Sequence, residues 1–141
     1  MQKGNTGRII VVRIYEGEDL LQTIRRKAEE AEVKAGHFSA IGSLSKARLG
    51  YYRDGKYEYR TFAGPLEIAS CNGNIALDED GKAAIHAHIV VSDEQFRAFG
   101  GHLTEESIVG ATAELVIVEG TGLNLQRGFD EKTGLKLLRL G

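Results

Sequence analysis

The chain of 141 residues contains one proline, one cysteine, one methionine and no tryptophan. A lone cysteine excludes an intramolecular disulfide and a cysteine-rich zinc ribbon, and it fits a reducing compartment. A lone proline leaves no proline-rich linker. No apolar run approaches the ~20 residues that a membrane-spanning helix needs. The opening Met1-Gln2-Lys3-Gly4-Asn5 is too polar for a signal-peptide core, so a cytoplasmic protein without membrane contact is expected. Neither sign of charge prevails: 18 Lys and Arg against 20 Asp and Glu give −2, with no global attraction to nucleic acid or an anionic membrane. Internal repeats and low-complexity tracts are also missing. What is abundant is glycine, with 18 residues, which suggests a sheet-rich fold with many tight turns. The length fits a single domain over residues 1–141, large enough to bury a core without staples.

Residues 8–15 are β-branched and nearly continuous, as in an interior strand. Asp19 follows as a helix cap with Gln22 at the capping-box position, and Leu20, Leu21, Ile24, Ala28 and Ala31 form one apolar stripe. That helix is expected to end near Ala35-Gly36, with glycine as the left-handed residue. The rest reads as sheet: strands at 38–42, 46–52 and 56–62, the last two around Arg53-Asp54-Gly55, a strong hairpin signal. A long strand at 66–77 holds Cys71 and Gly73, the latter read as a bulge. Strands at 83–91 and 108–118 follow, with 93–99 a short helix or irregular crossing between them. Asp130-Glu131-Lys132-Thr133-Gly134 turns between two final strands. One early helix with roughly seven strands implies an α+β domain.

Three of the four histidines fall within residues 86–102. In the strand at 83–91, Ile85, Ala87, Ile89 and Val91 alternate toward the core, so His86 and His88 leave the other face together, one strand repeat of roughly 6.5–7 Å apart. His102 follows Gly100-Gly101, on what reads as a loop that two glycines leave free to bend. Three neutral imidazoles suit zinc, nickel, copper or iron(II), and an open fourth position leaves room for water or a ligand. The simpler alternative is a pair of surface histidines on a half-exposed sheet. Asp93, Glu94, Glu105 and Glu106 are near enough in sequence to support the ligands, and spacing does not choose among them.

Other candidates carry less. His37 reads as a helix C-terminal residue favoured by the macrodipole. Ser39, Ser43 and Ser45 lack a nucleophile elbow or a partner at a recognisable offset. Cys71 reads as a small buried residue. Gly120-Thr121-Gly122 does not complete a dinucleotide fingerprint. The hairpin around Gly55 interleaves Tyr51, Tyr52, Tyr57 and Tyr59 with Arg48, Arg53, Lys56 and Arg60. That pattern serves a subunit contact or plain sheet surface, or else a stacking surface for single strands.

The order of several segments resembles the plants-and-prokaryotes conserved domain family (PPC, also DUF296). These segments are Phe38-Ser-Ala-Ile-Gly-Ser-Leu-Ser45, Leu49-Gly-Tyr-Tyr52, Leu66-Glu-Ile-Ala-Ser70 with Gly73, His86-Ala-His88, Gly100-Gly-His-Leu103, Ala113-Glu-Leu-Val-Ile117 and Phe129-Asp-Glu-Lys-Thr-Gly134. The resemblance runs from about Arg8 to Leu138. It implies a curved, mainly antiparallel sheet, a homotrimer, and a metal, commonly taken as zinc, at His86, His88 and His102. Plant members join the domain to AT-hooks that bind A·T-rich DNA, and prokaryotic members are often called DNA-binding by analogy. This chain looks like the stand-alone prokaryotic type. It has no Arg-Gly-Arg-Pro core, since its only proline is Pro65 and Arg127-Gly128 is followed by Phe129.

Two functions from different classes follow. One is a zinc-type, trimeric metal protein that binds a small molecule or catalyses a metal-dependent reaction, for which Glu67, Glu105 and Glu106 are the available bases. The other is a DNA-associated or assembly module with a structural metal.

Overall fold

The computed structural model describes residues 1–140, and among these eight strands and one helix are present. In chain order they are β1 (Asn5–Tyr15), α1 (Leu20–Glu30), β2 (Gly36–Arg53), β3 (Lys56–Leu77), β4 (Ala83–Ser92), β5 (Ala98–Leu103), β6 (Ile108–Thr121), β7 (Gln126–Asp130) and β8 (Leu135–Arg139). The expected α+β class holds, with eight strands in place of about seven. They make one sheet in the order β1-β6-β2-β5-β4-β3-β7-β8, antiparallel except where β3 meets β7. Strands β2 and β3 also pair directly, so β2, β5, β4 and β3 close on themselves.

The four segments read at 38–62 and 66–77 are two long strands, not four. Each runs through its expected break at one shared register shift, where Leu44 pairs with Leu66 but Lys46 with Ala63, and a second shift lies at Ala40/Gly42. Between them Asp54 and Gly55 both adopt positive φ, 51° and 81°, the two-residue turn that Asp-Gly favours. Gly73 is not a bulge. It pairs in register with Phe38 and Ala87, and a Cβ there would lie 2.4 Å from the His86 carbonyl and 2.5 Å from the Phe38 ring. Glycine is needed for the space that ring occupies.

The core lies between α1 and one face of the sheet. Leu20, Leu21, Ile24 and Ala28 meet Phe38, Ala87, Ile89, Leu115 and Ile117, all buried, each large side chain contributing roughly 1.5–3 kcal/mol. Asp19 caps α1 as expected, accepting from the Gln22 N–H at 3.0 Å. Its second oxygen accepts from the Glu106 N–H at 2.6 Å and ties the helix start to the β5–β6 turn. The helix ends earlier than the sequence suggests. Ala31 is the C-cap, Glu32 takes the left-handed conformation at φ 55°, and the Val33 N–H reaches the Ala28 carbonyl at 2.9 Å. The stop is a Schellman turn built on glutamate, because the Val33 side chain, at 2% exposure, is drawn into the core before Gly36 is reached.

Strand β1 is not interior. It pairs only with β6 and forms one edge of the sheet, with Ile14 buried but Ile9, Val11 and Tyr15 facing outward and exposed. Its near-continuous apolar sequence suits two covered faces, and within one chain only one is covered.

Candidate metal centre

Strand β4 keeps the expected alternation. Ala87, Ile89 and Val91 are buried in the core, whereas His86 is half-buried and His88 exposed on the opposite face. The third histidine is not on a free loop: His102 lies in β5, paired on both sides. Residues 93–97 form neither helix nor crossing but the turn of a hairpin. Asp93 organises it, one carboxylate oxygen accepting from the Gln95 and Arg97 N–H groups at 3.0 Å each while the other meets the Arg97 guanidinium at 2.7 Å.

This turn sets the register in which His102 stands opposite His88, Gly101 opposite Ile89 and Gly100 opposite Val90. On its other side β5 meets β2, with His102 opposite Gly50. The glycine pair therefore serves close approach, not bending. A Cβ on Gly100 would sit 2.4 Å from the Ile89 carbonyl oxygen, and one on Gly101 2.7 Å from that of Gly50.

The three rings converge. Centroids are 5.2 Å apart for His86–His88 and His86–His102 and 5.8 Å for His88–His102, and one nitrogen of each lies within 4.8 Å of the other two. Metal–nitrogen bonds at a tetrahedral angle separate donors by roughly 3.4 Å, so small side-chain rotations close the set. The Nδ1 of His102 is buried without a hydrogen-bond partner. Burial, then His86, His88 and Arg127, push His102 down to about 4. Burial, Arg127 and His88 lower His86 as well. Both rings are thus neutral near pH 7, with lone pairs to offer. A three-histidine cluster capable of coordinating a metal ion is present, and its donor set fits a borderline-soft divalent cation.

Three of the four carboxylates expected nearby are engaged elsewhere. Asp93 holds its turn, Glu105 pairs with Arg25 at 3.1 Å and Glu106 with Lys46 at 3.5 Å. Among the described residues no acidic side chain joins the histidine cluster. His37 is not at the helix end. It is exposed in β2, paired with Asn74 and Val118. Ser43 accepts a hydrogen bond from the Ala111 N–H at 3.0 Å and serves the β2–β6 join. Cys71 is buried as expected, and burial pushes its thiol up to about 12, which leaves it unreactive.

Four residues, Tyr57, Tyr52, Asn74 and Arg127, have no sequence signal that places them at the centre. Tyr57, read with the hairpin surface, turns inward so that its ring lies 5.0 Å from that of His102. Tyr52 holds the hairpin there, its hydroxyl donating to the Thr133 carbonyl at 2.6 Å. Asn74 stands opposite His86 on β3, and its side-chain oxygen accepts from Arg127 at 2.7 Å. Strand alternation assigns Tyr57 a face but not a neighbour, and nothing local marks Arg127. With His86 and His102, Tyr57 and Arg127 line a cleft of about 460 Å³. Tyr59 shares the face of Tyr57 and stacks on it at 6.0 Å, with Arg48 over its ring at 4.1 Å, whereas on the hairpin's other face Arg53 lies over Tyr51 at 5.4 Å.

The sequence profile of the Plants and Prokaryotes Conserved (PCC) domain matches residues 1–121. The chain belongs to this family. Solved structures of similar chains agree in fold. A plant- and prokaryote-conserved protein from Pyrococcus horikoshii superposes with a TM-score of 0.90 at 29% identity, over 99% of this chain and 96% of that one. A metal-containing protein from Archaeoglobus fulgidus gives 0.89 at 32% identity, over 97% and 96%. A candidate DNA-binding protein from Ralstonia eutropha JMP134 gives 0.82 at 30% identity, over 93% and 90%. The bifunctional protein GlmU of Synechococcus sp. strain JA-3-3Ab is 34% identical over 128 residues, which are 90% of this chain but 20% of GlmU. This PCC chain thus spans about a fifth of the length of the curated relatives it matches. No helix among the described residues is long and apolar enough to cross a membrane.

Proposed function

We propose that this PCC-family chain is a metal-dependent protein in which His86, His88 and His102 hold one divalent ion, zinc by the chemistry of the set, and that a small molecule binds beside it. The observation that carries this reading is the convergence of three imidazole donors within 4.8 Å, with no acidic fourth ligand among the described residues. Three protein ligands leave zinc a position for water or a ligand, as in sites that bind or transform small molecules. Such an ion would supply a Lewis acid and an activated water. The Archaeoglobus relative, described as metal-containing, supports the same reading. The chain's own part is to keep His86 and His102 neutral and to shape the cleft with Tyr57 and Arg127.

Metal analysis of protein purified without a histidine tag tests this. About one zinc per chain is expected, reduced well below that in His86→Ala, His88→Ala and His102→Ala but unchanged in His37→Ala. Stoichiometric metal retained in the His86/His88 double variant overturns it.

The assembly is proposed to be a homotrimer. Its support is the apolar strip of Ile9, Val11 and Tyr15 on an otherwise unprotected edge strand, with Ile41 on β2 exposed as well. A DNA-associated role, suggested by the description of the Ralstonia relative, gains no comparable support. The net charge is −2, no AT-hook core is present, and Arg48 and Arg53 are stacked on tyrosines. A true duplex binder would lose affinity steeply with rising salt. No A·T-selective binding is expected near physiological salt.

A further inference from the structure

Arg127 is the one cation of this chain that is both nine-tenths buried and without an acidic partner among the described residues, keeping only 9% of its surface exposed. Its Nη1 donates to the Lys136 carbonyl at 3.2 Å and its Nη2 to the Asn74 side chain at 2.7 Å. Its Nε is buried and finds no acceptor among the described residues. A guanidinium offers five N–H donors in a planar fork, and two neutral acceptors satisfy neither the fork nor the charge. Burying an unpaired cation is costly, and protein interiors ordinarily compensate it.

The cleft offers no such compensation. Its other charged groups are Arg25, Lys82 and Lys136 against Glu29 and Asp78, so positive groups outnumber negative ones four to two when Arg127 is counted. One oxygen of Asp78 already accepts from the Asp80 and Lys82 N–H groups at 2.9 Å each, and the carboxylate makes no ion pair with Arg127. His86 and His102 line the same cleft from β4 and β5. Asn74 bridges the two sides, bonded to Arg127 and directly opposite His86.

We propose that the cleft takes a small oxyanion, a carboxylate or phosphate group that docks on the Arg127 fork while another oxygen of the same molecule reaches the three-histidine centre. The inference rests on the metal reading of that centre for its second contact and on Arg127 alone for its first. A planar two-oxygen group is what a guanidinium binds best, through two parallel charge-assisted hydrogen bonds. The volume of about 460 Å³ suits a metabolite-sized molecule. Tyr57, turned from the hairpin toward His102, would form the wall against which the ligand's carbon skeleton lies. Arg127 falls outside residues 1–121 matched by the family profile, and this wall of the cleft comes from the β7–β8 hairpin.

Oxalate and inorganic phosphate, titrated in turn into the cobalt(II)-loaded and the metal-free chain, serve as probes. Thermal unfolding is followed in both forms and visible absorption in the cobalt form. One of the two anions is expected to raise the melting temperature and to perturb the cobalt spectrum. Tighter binding of oxalate identifies a carboxylate ligand, and tighter binding of phosphate a phosphate one. Arg127→Gln is expected to weaken that binding about tenfold or more, the scale of a lost charge-assisted pair, with cobalt stoichiometry unchanged. Arg127→Lys keeps the charge without the fork and should fall between.

If the histidines bind no cobalt, the metal reading fails separately. Anion stabilisation of the metal-free chain that still depends on Arg127 then upholds the oxyanion site. No stabilisation of the wild-type chain by either anion overturns the proposal even if the variants do not fold. Unchanged anion affinity in folded Arg127→Gln overturns it as well.

Discussion

His88 and His102 stand directly opposite each other across β4 and β5, with ring centroids 5.8 Å apart. A whole hairpin separates them in sequence, and its turn decides that they meet. Side chains alternate across a strand, so a slip of one residue would send His102 into the core face. The centre therefore depends on backbone fit as much as on the ligands themselves.

That dependence is testable without touching a histidine. Gly100→Ala and Gly101→Ala each place a Cβ within 2.7 Å of a carbonyl oxygen on a neighbouring strand, which β5 can relieve only by moving away. Metal affinity is expected to fall roughly 10–100-fold, as when the support of a ligand is lost. Competition against a chromophoric chelator measures it. An affinity equal to that of the parent would show that β5 tolerates the shift.

Gly73→Ala links the same centre to the core. Its Cβ would meet the fully buried Phe38 ring at 2.5 Å and the His86 carbonyl at 2.4 Å, neither of which is a flexible chain end. Overpacking of this kind costs about 1–3 kcal/mol, read from the denaturation midpoint. Partial relief should come from Phe38→Leu in the same chain, since the planar ring is the obstacle.

Glu32→Gly should stabilise the protein. Glu32 is exposed and holds φ 55°, a conformation that costs a residue with a side chain about 1 kcal/mol. Glycine removes that cost and leaves the two Schellman hydrogen bonds in place. Glu32→Ala is the control and should show no such gain in chemical denaturation.

The metal-free protein should lose stability on mild acidification. His102 is held at about 4 when folded, against 6.5 when free. The unfolded chain therefore binds a proton first, and stability present above pH 6.5 is lost progressively down to about 4, then levels for this group. Glu119, which hydrogen bonds from Arg8 lower to about 2 from 4.5, adds its own loss from about pH 4.5 downward, at the acidic end of that window and below it. A melting temperature independent of pH between 6.5 and 4.5 in metal-free protein would contradict this assignment.

For the trimer, light scattering should return roughly three times the chain mass of 15.4 kDa, and Val11→Glu on the exposed face of β1 should shift it toward a single chain. A monomeric parent at micromolar concentration would rule the trimer out.

The periodicities in the sequence are local, and whatever depends on local chemistry alone was legible there. Alternation in residues 83–91 assigns His86 and His88 to one face, Asp19 starts the helix, and Asp54-Gly55 turns the hairpin, because each needs only a few neighbouring residues. The α+β class follows from the same signals. Failures of the local reading occur where a distant atom decides. The helix stops at Glu30, not Gly36, because the core claims Val33. Gly73 and the Gly100-Gly101 pair are fixed by carbonyls and a ring from other strands rather than by any turn of their own. Residues 8–15 lie at an edge because the sheet order is a global property. Three histidines could be read as a set. That Tyr57 and a buried, partly unpaired Arg127 border them required the tertiary structure, since pairing of β3 with β4 and β7 alone brings Asn74, His86 and Arg127 together.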